Sequence, residues 1–183
     1  MFQINKIKPI ISNVICTADL HQKVDLKKFL NFRWGIYDSE IYGGRCGYVK
    51  SIDMVGKVTV FLSGKMISLG TKSVKSAILQ LNLAKSHLIK AKLISNTKLE
   101  PKVQNIVATL TLDHRIKINE LAKNLNGAIY EPEQFPAIIL RTIESTSYLI
   151  FSTGKIVISG AKSEDEIAQA SFEIQQKLSS AIS

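Results

Sequence analysis

The segment Phe61–Gly70, Phe-Leu-Ser-Gly-Lys-Met-Ile-Ser-Leu-Gly, returns as Phe151–Gly160, Phe-Ser-Thr-Gly-Lys-Ile-Val-Ile-Ser-Gly. A Lys-Ser pair follows each copy, Lys72-Ser73 and Lys162-Ser163, and Ser12–Thr17 likewise matches Gln104–Thr109. A repeat this strong constrains the fold more than any other feature, because both copies must solve the same packing problem. Its period of roughly ninety residues is too long for a solenoid unit and suits a duplicated half-domain. The halves are read as residues 1–92 and 93–183, joined across Lys90–Pro101.

Each half reads alike. An apolar strand opens it (Ile10–Thr17, Val103–Leu110), a short helix follows (Asp25–Asn31, Ile118–Leu125), and three or four strands come next. In the second half these are Ala137–Ile143, Tyr148–Phe151 and Lys155–Ser159. Gly64 and Gly154 mark tight hairpins, where glycine tolerates positive φ. A longer helix closes each half. The second begins Ser163-Glu-Asp-Glu166, a capping box with three acids at the positive end of the helix dipole. Ile167, Ala170, Ile174 and Leu178 form an apolar stripe at helical spacing, as do Val74, Ala77, Ile78, Leu81 and Leu88 in the first half. Both stripes read as core contacts with a sheet. The expected class is α+β, a pseudo-symmetric object of two repeats.

The 183 residues are 45% hydrophobic and 21% charged, the balance of a folded chain that buries a core. The formal net charge is +9 and the pI about 9.5, which favours a polyanionic partner, nucleic acid or an acidic membrane surface. Cys16 and Cys46 form no CxxC pair, so neither a disulfide framework nor an oxidising compartment is implied. His21, His87 and His114 are scattered without metal-ligand spacing. No apolar run resembles a signal peptide or a membrane span. The expectation is a soluble intracellular protein, in cytoplasm or nucleoid if archaeal and in the nucleus if eukaryotic. The Ile, Lys and Asn content leans archaeal.

Strand alternation divides the residues between two faces. In Lys155–Ser159, Ile156 and Ile158 oppose Lys155, Val157 and Ser159; in Asn105–Thr109, Ile106 and Ala108 oppose Asn105, Val107 and Thr109. One face can meet the helices. The other shows small apolar groups between short polar ones, whereas an antiparallel sheet open to water is plainly polar. Something covers it: either more protein, as in a sandwich or dimer, or the minor groove of DNA. That groove has base acceptors on its floor and distinguishes mainly A·T from G·C.

At these residues the chain resembles the TATA-box-binding protein family, over nearly its whole length. Three motifs occur in order: Gln104-Asn-Ile-Val107, Tyr130-Glu-Pro-Glu-Gln-Phe-Pro136 and Phe151-Ser-Thr-Gly-Lys-Ile-Val-Ile-Ser-Gly-Ala-Lys162. The resemblance implies a pseudo-two-fold saddle, a curved antiparallel sheet with helices on its convex face. It implies a transcription initiation factor that binds and bends A·T-rich double-stranded promoter DNA, without cofactor, metal or catalysis. Asn13 and Asn105 would lie at the centre of the DNA-binding sheet, with Ile15 and Val107 against the base edges. Phe135 and Phe151 would wedge into one base step, and Tyr42 and Phe61 into the other. Lys65, Arg141 and Lys155 would lie near phosphates. Ile67, Val157 and Ser159 match sheet residues, and Ser63 and Thr153 the hairpins beside them. Glu131, Glu133 and Gln134 match the stirrup loop, whose acidic edge receives the B-type general transcription factor and, through it, the RNA polymerase assembly. The first half departs from the pattern: tyrosine at Tyr42, Ile41 for the arginine before the wedge, Ser39 for the stirrup proline, and Leu69 for a threonine. The usual arginine of the next strand aligns near Tyr48, with Arg45 and Lys50 close by. Weaker or less TATA-specific binding by this half is expected.

Other function classes are weaker. A divergent paralogue of the same fold, binding protein or DNA without sequence preference, is the main alternative. For an enzyme, Asp113-His114 is a lone pair at a strand end, and Ser63-Gly64-Lys65 and Thr153-Gly154-Lys155 lack the GxxxxGK frame of a phosphate loop. For a membrane surface, neither closing helix has an aromatic apolar face opposite a basic one.

Overall fold

The computed structural model describes residues 7–142 and 146–182. The chain forms two compact units, one comprising Asn13–Gln104 and the other Asn105–Ser183 with the chain before Asn13. The first unit takes most of β1 (Ile10–Asp19), then β2 (Gly35–Tyr37), β3 (Cys46–Val49), β4 (Lys57–Phe61) and β5 (Lys65–Thr71), ordered β2-β3-β4-β5-β1 with all pairs antiparallel. Helix α1 (Val74–Lys90) packs on β4 and β5. The second unit has most of β6 (Lys102–Thr111), then α2 (Ile118–Asn124), β7 (Ala137–Arg141), β8 (Ser147–Phe151) and β9 (Lys155–Ala161), ordered β6-β9-β8-β7 and again antiparallel. Helix α3 (Glu164–Ile182) packs on β9 and α2. The end expected for β7 at Ile143 lies outside the described residues.

Alternation places the cores as expected. In the second unit Ile106, Ala108, Leu110, Ile150, Ile156 and Ile158 are buried on one face, where the α3 stripe Ile167, Ala170, Ile174 and Leu178 is also buried. Fully buried Tyr148 donates its hydroxyl to the Ala170 carbonyl at 3.1 Å, tying β8 to α3. Tyr148→Phe leaves that buried carbonyl without this donor, so a loss of about 1–2 kcal/mol is expected. Thermal unfolding followed by circular dichroism should show a melting point lower by a few degrees.

The first unit packs less cleanly. Ser68 and Thr71 occupy the positions of Ile158 and Ala161, and their buried hydroxyls have no hydrogen-bond partner among the described residues. Val74 and Ile78 of the expected α1 stripe are only half-buried. Gln80, which the stripe does not include, is buried, and its Oε1 accepts from the Gly56 N–H at 3.3 Å. The short helix is a 3-10 turn, Leu26–Asn31, held by buried Leu26 and Phe29, and Asp25 makes no side-chain cap. The α3 capping box forms with one shift. Ser163 Oγ accepts from the Glu166 N–H at 3.1 Å, while the Glu166 carboxylate reaches the Lys162 N–H at 2.7 Å rather than that of Ser163. Gly64 (φ 94°) and Gly154 (φ 88°) turn their hairpins, and a Cβ on either would overlap the carbonyl oxygen of Gln22 or His114. Cys16 and Cys46 are free and buried, and burial pushes the Cys16 thiol up. Among the described residues no helix is long and apolar enough to cross a membrane.

Candidate nucleic-acid interface

On the open face of the second unit, register aligns Thr109, Val157, Leu149 and Ile139 into one row across four strands, all half-buried. The next row runs Ser159, Ser147, Arg141, with the two hydroxyls 3.4 Å apart. Lys155 pairs with Thr111 where β9 begins. Phe151 ends β8 opposite Ala137. The turn before β7 has the Glu131 carbonyl accepting from the N–H groups of both Gln134 and Phe135, and this brings the Phe135 ring edge-on to Phe151 with centroids 6.1 Å apart. Phe135 is 39% exposed. Glu131, Glu133 and Gln134 are exposed on that same turn.

Asn105 shows how a polar residue is aimed from a strand. The β6–β9 register shifts between Ile106 and Ala108, at a bulge where Gly160 has φ 101°. The Gly160 N–H donates to Asn105 Oδ1 at 2.8 Å. With Oδ1 engaged, the amide offers its Nδ2–H2 group, a pure donor, outward. The first unit repeats the device: a shift between Val14 and Cys16, Gly70 at φ 82°, and the Gly70 N–H donating to Asn13 Oδ1 at 3.1 Å.

The corresponding row of the first unit is Thr17, Ile67, Thr59, Tyr48 and Ile36, in which Thr59 is buried. Beside it Leu69 pairs with Lys57, and Asp19 with Lys65. A depression of about 570 Å³ is lined by Thr17, Asp19, Phe61, Ser63, Lys65 and Ile67 among others. Tyr42 is not brought against Phe61 as Phe135 is against Phe151. It lies in a 3-10 turn, Ile41–Gly44, with three successive left-handed residues (φ 51°, 63°, 70°), is 77% exposed, and makes no ring contact with Phe61 among the described residues. Ile15 and Val107 are half-buried and alternate with core residues. Thr153 is exposed in its hairpin.

Several residues of these rows escape the sequence reading: Leu149, Ile139 and Ser147, with Thr17, Thr59 and Lys57. Thr59 and Leu149 were reachable, since each lies two residues before a hairpin phenylalanine and alternation puts it on the same face.

Charge is divided unevenly. Residues 13–104 hold fifteen Lys and Arg against six Asp and Glu, while residues 105–183 hold seven against nine. Net positive charge is therefore concentrated in the first unit, and the paired phenylalanines and hydroxyls lie in the second.

Two other clusters invite a catalytic reading and do not sustain one. His114 Nδ1 lies 2.7 Å from Asp113 Oδ1 on an exposed loop, and this hydrogen bond holds the Asp113 carboxyl below the usual range. Ser51 Oγ lies 2.9 Å from His87 Nε2, and Asp53, lowered chiefly by its bond from Ser51, approaches that same Nε2 at 3.6 Å. A serine triad needs the acid on the other ring nitrogen, orienting the base. Among the described residues no group of three His, Cys, Asp or Glu side chains could hold a metal ion.

The two-unit α+β fold with paired donor-flanked apolar faces is that of a transcription-factor family. The family model described as "Transcription factor TFIID (or TATA-binding protein, TBP)" matches residues 8–88 and 100–181. The chain belongs to the TATA-box-binding protein family. Relatives include the TATA-box-binding protein of Cenarchaeum symbiosum, 43% identical over 96% of this chain and 97% of the relative. That of Pyrodictium occultum is 36% identical over 92% and 84%. The solved structure of Methanococcus jannaschii TBP superposes with a TM-score of 0.81 at 28% identity, covering 94% of this chain and 98% of the other.

Proposed function

We propose that this chain is a general transcription initiation factor that binds A·T-rich promoter DNA through the minor groove, bends it, and offers Glu131, Glu133 and Gln134 to a B-type general transcription factor, meeting RNA polymerase only through it. The observation that carries the reading is the Asn105 amide, whose oxygen is engaged by the Gly160 N–H, on the same open face as the row Thr109, Val157, Leu149 and Ile139 and the Phe135–Phe151 pair at the end of β8. Amide and hydroxyl donors match adenine N3 and thymine O2, while Val157 and Leu149 leave no acceptor for a guanine amino group. Paired aromatic rings at the edge of such a face suit insertion between base pairs, and the TATA-box-binding protein is itself the type example of that wedging.

A gel-shift titration on duplexes with and without an A·T-rich octamer tests this. At about 1–3 kcal/mol per mismatched pair, the octamer should bind at least about a hundredfold more tightly. Equal affinity favours the second reading, a paralogue binding DNA without sequence preference or a protein partner. The outward Tyr42 and apolar Leu69 of the first unit are what support that alternative.

A further inference from the structure

In the second unit Arg141 closes β7 opposite Ser147, the first residue of β8. Cys46 pairs with Phe61 as Ala137 pairs with Phe151, so the same register makes Tyr48 the counterpart of Ile139, Lys50 that of Arg141, and Lys57 that of Ser147. Lys50 thus inherits the position of the basic residue, but its ammonium is engaged. Nζ donates to the carbonyl oxygens of Met54, Val55 and Gly56 at 3.0, 2.9 and 3.1 Å. Those three bonds use all three of its protons. A phosphate could reach this group only by dismantling the 50–56 loop.

Lys57 is the opposite case. It opens β4 and alternates onto the open face with Thr59 and Phe61, opposite Leu69. Its Nζ rests 4.6 Å from the centroid of the Tyr48 ring. A π face holds an ammonium loosely while leaving it charged and partly stripped of water. Such a group exchanges its resting partner for a phosphate oxygen with little rearrangement.

We propose that Lys57, one strand further in than Arg141 on its own unit, is a phosphate-binding cation of the first repeat in addition to Lys65, and that Lys50 is a structural clamp. The proposal rests on the minor-groove reading above. It assigns the lost basic position of the first half to a residue that no motif marks.

The test is the salt dependence of binding of the full chain to a fluorescent A·T-rich duplex, followed by anisotropy from about 50 to about 200 mM KCl. Lys57→Gln is expected to reduce the slope of log K against log salt by about 1, the loss of one phosphate contact, and Lys57→Arg to restore it. Lys50→Met is expected to keep the slope and lower the melting point. An unchanged slope for Lys57→Gln overturns the proposal, as does a reduced slope for a folded Lys50→Met. If Lys50→Met does not fold, the Lys57 variants decide alone. Failure of the minor-groove reading has its own signature: wild-type protein then shows no preference between A·T-rich and G·C-rich duplexes.

Discussion

An end-labelled A·T-rich duplex is expected to lose its fluorescence-transfer change when Phe135 and Phe151 are both replaced by alanine. The two rings meet edge to face at 6.1 Å, one at the end of β8 and the other on the turn that enters β7. Neither is buried in the core, so the cost of removing them falls on the complex and not on the fold. Opening a base step costs a few kcal/mol, which the inserted rings offset by replacing lost stacking. Alanine is too short to enter the step. The bend should disappear, and affinity should fall about a hundredfold, equivalent to about 3 kcal/mol. A variant that is folded and still gives the full transfer change would show that these rings are not the wedge.

Val157→Glu should be more severe. Val157 sits in the middle of the open row, paired with Thr109 on one side and Leu149 on the other. Beneath a duplex seated as proposed, its side chain would have no room for water. A carboxylate there would be buried without a partner and would face the phosphate rails with the same sign of charge. The expected loss is about a thousandfold or more, from about 4 kcal/mol or more of unpaired-charge penalty. The matched control is Ile158→Glu, one residue on. Ile158 is fully buried on the helix-covered face, so this change should unfold the protein. Filter binding with circular dichroism separates the outcomes: Val157→Glu folded and unable to bind, Ile158→Glu unfolded. Binding of Val157→Glu within twofold of wild type would remove the open face from consideration as the DNA seat.

Both predictions use residues visible in the sequence, and the reason is the same for each. Val157 and Ile158 are assigned to opposite faces by period-two alternation, which is local information carried by a few neighbouring residues. Phe151 is marked by the repeated hairpin segment, and Phe135 by the Tyr130–Pro136 motif. Tyr42 shows where such reading stops. Its alignment with a wedge is sound as a spacing, but the Tyr42-Gly-Gly44 segment adopts left-handed backbone that leaves the ring exposed and apart from Phe61. Two consecutive glycines permit that conformation without specifying it.

Lys50 and Lys57 mark the same limit for charge. In sequence Lys50 lies close to the place of the missing arginine, and nothing marks Lys57. The ranking comes from three carbonyls around one ammonium and an aromatic ring beneath the other. Asn13 and Asn105 are similar: the motif names them, while the glycine N–H across the bulge decides which end of each amide points outward.

The sequence by itself determined the duplication, the α+β class, the two faces of β6 and β9 and the α3 stripe, because repetition and periodicity are written in consecutive residues. Only the tertiary structure decided the cross-strand rows, the donor orientation of the asparagines, the stance of Tyr42 and which lysine is held by carbonyls and which by a ring. The asparagine orientation and the widest rows depend on pairing between strands as far apart in the chain as Asn13 and Gly70, whereas the stance of Tyr42 and the carbonyls around Lys50, four to six residues on, depend on a local backbone path that residue identity permits without specifying.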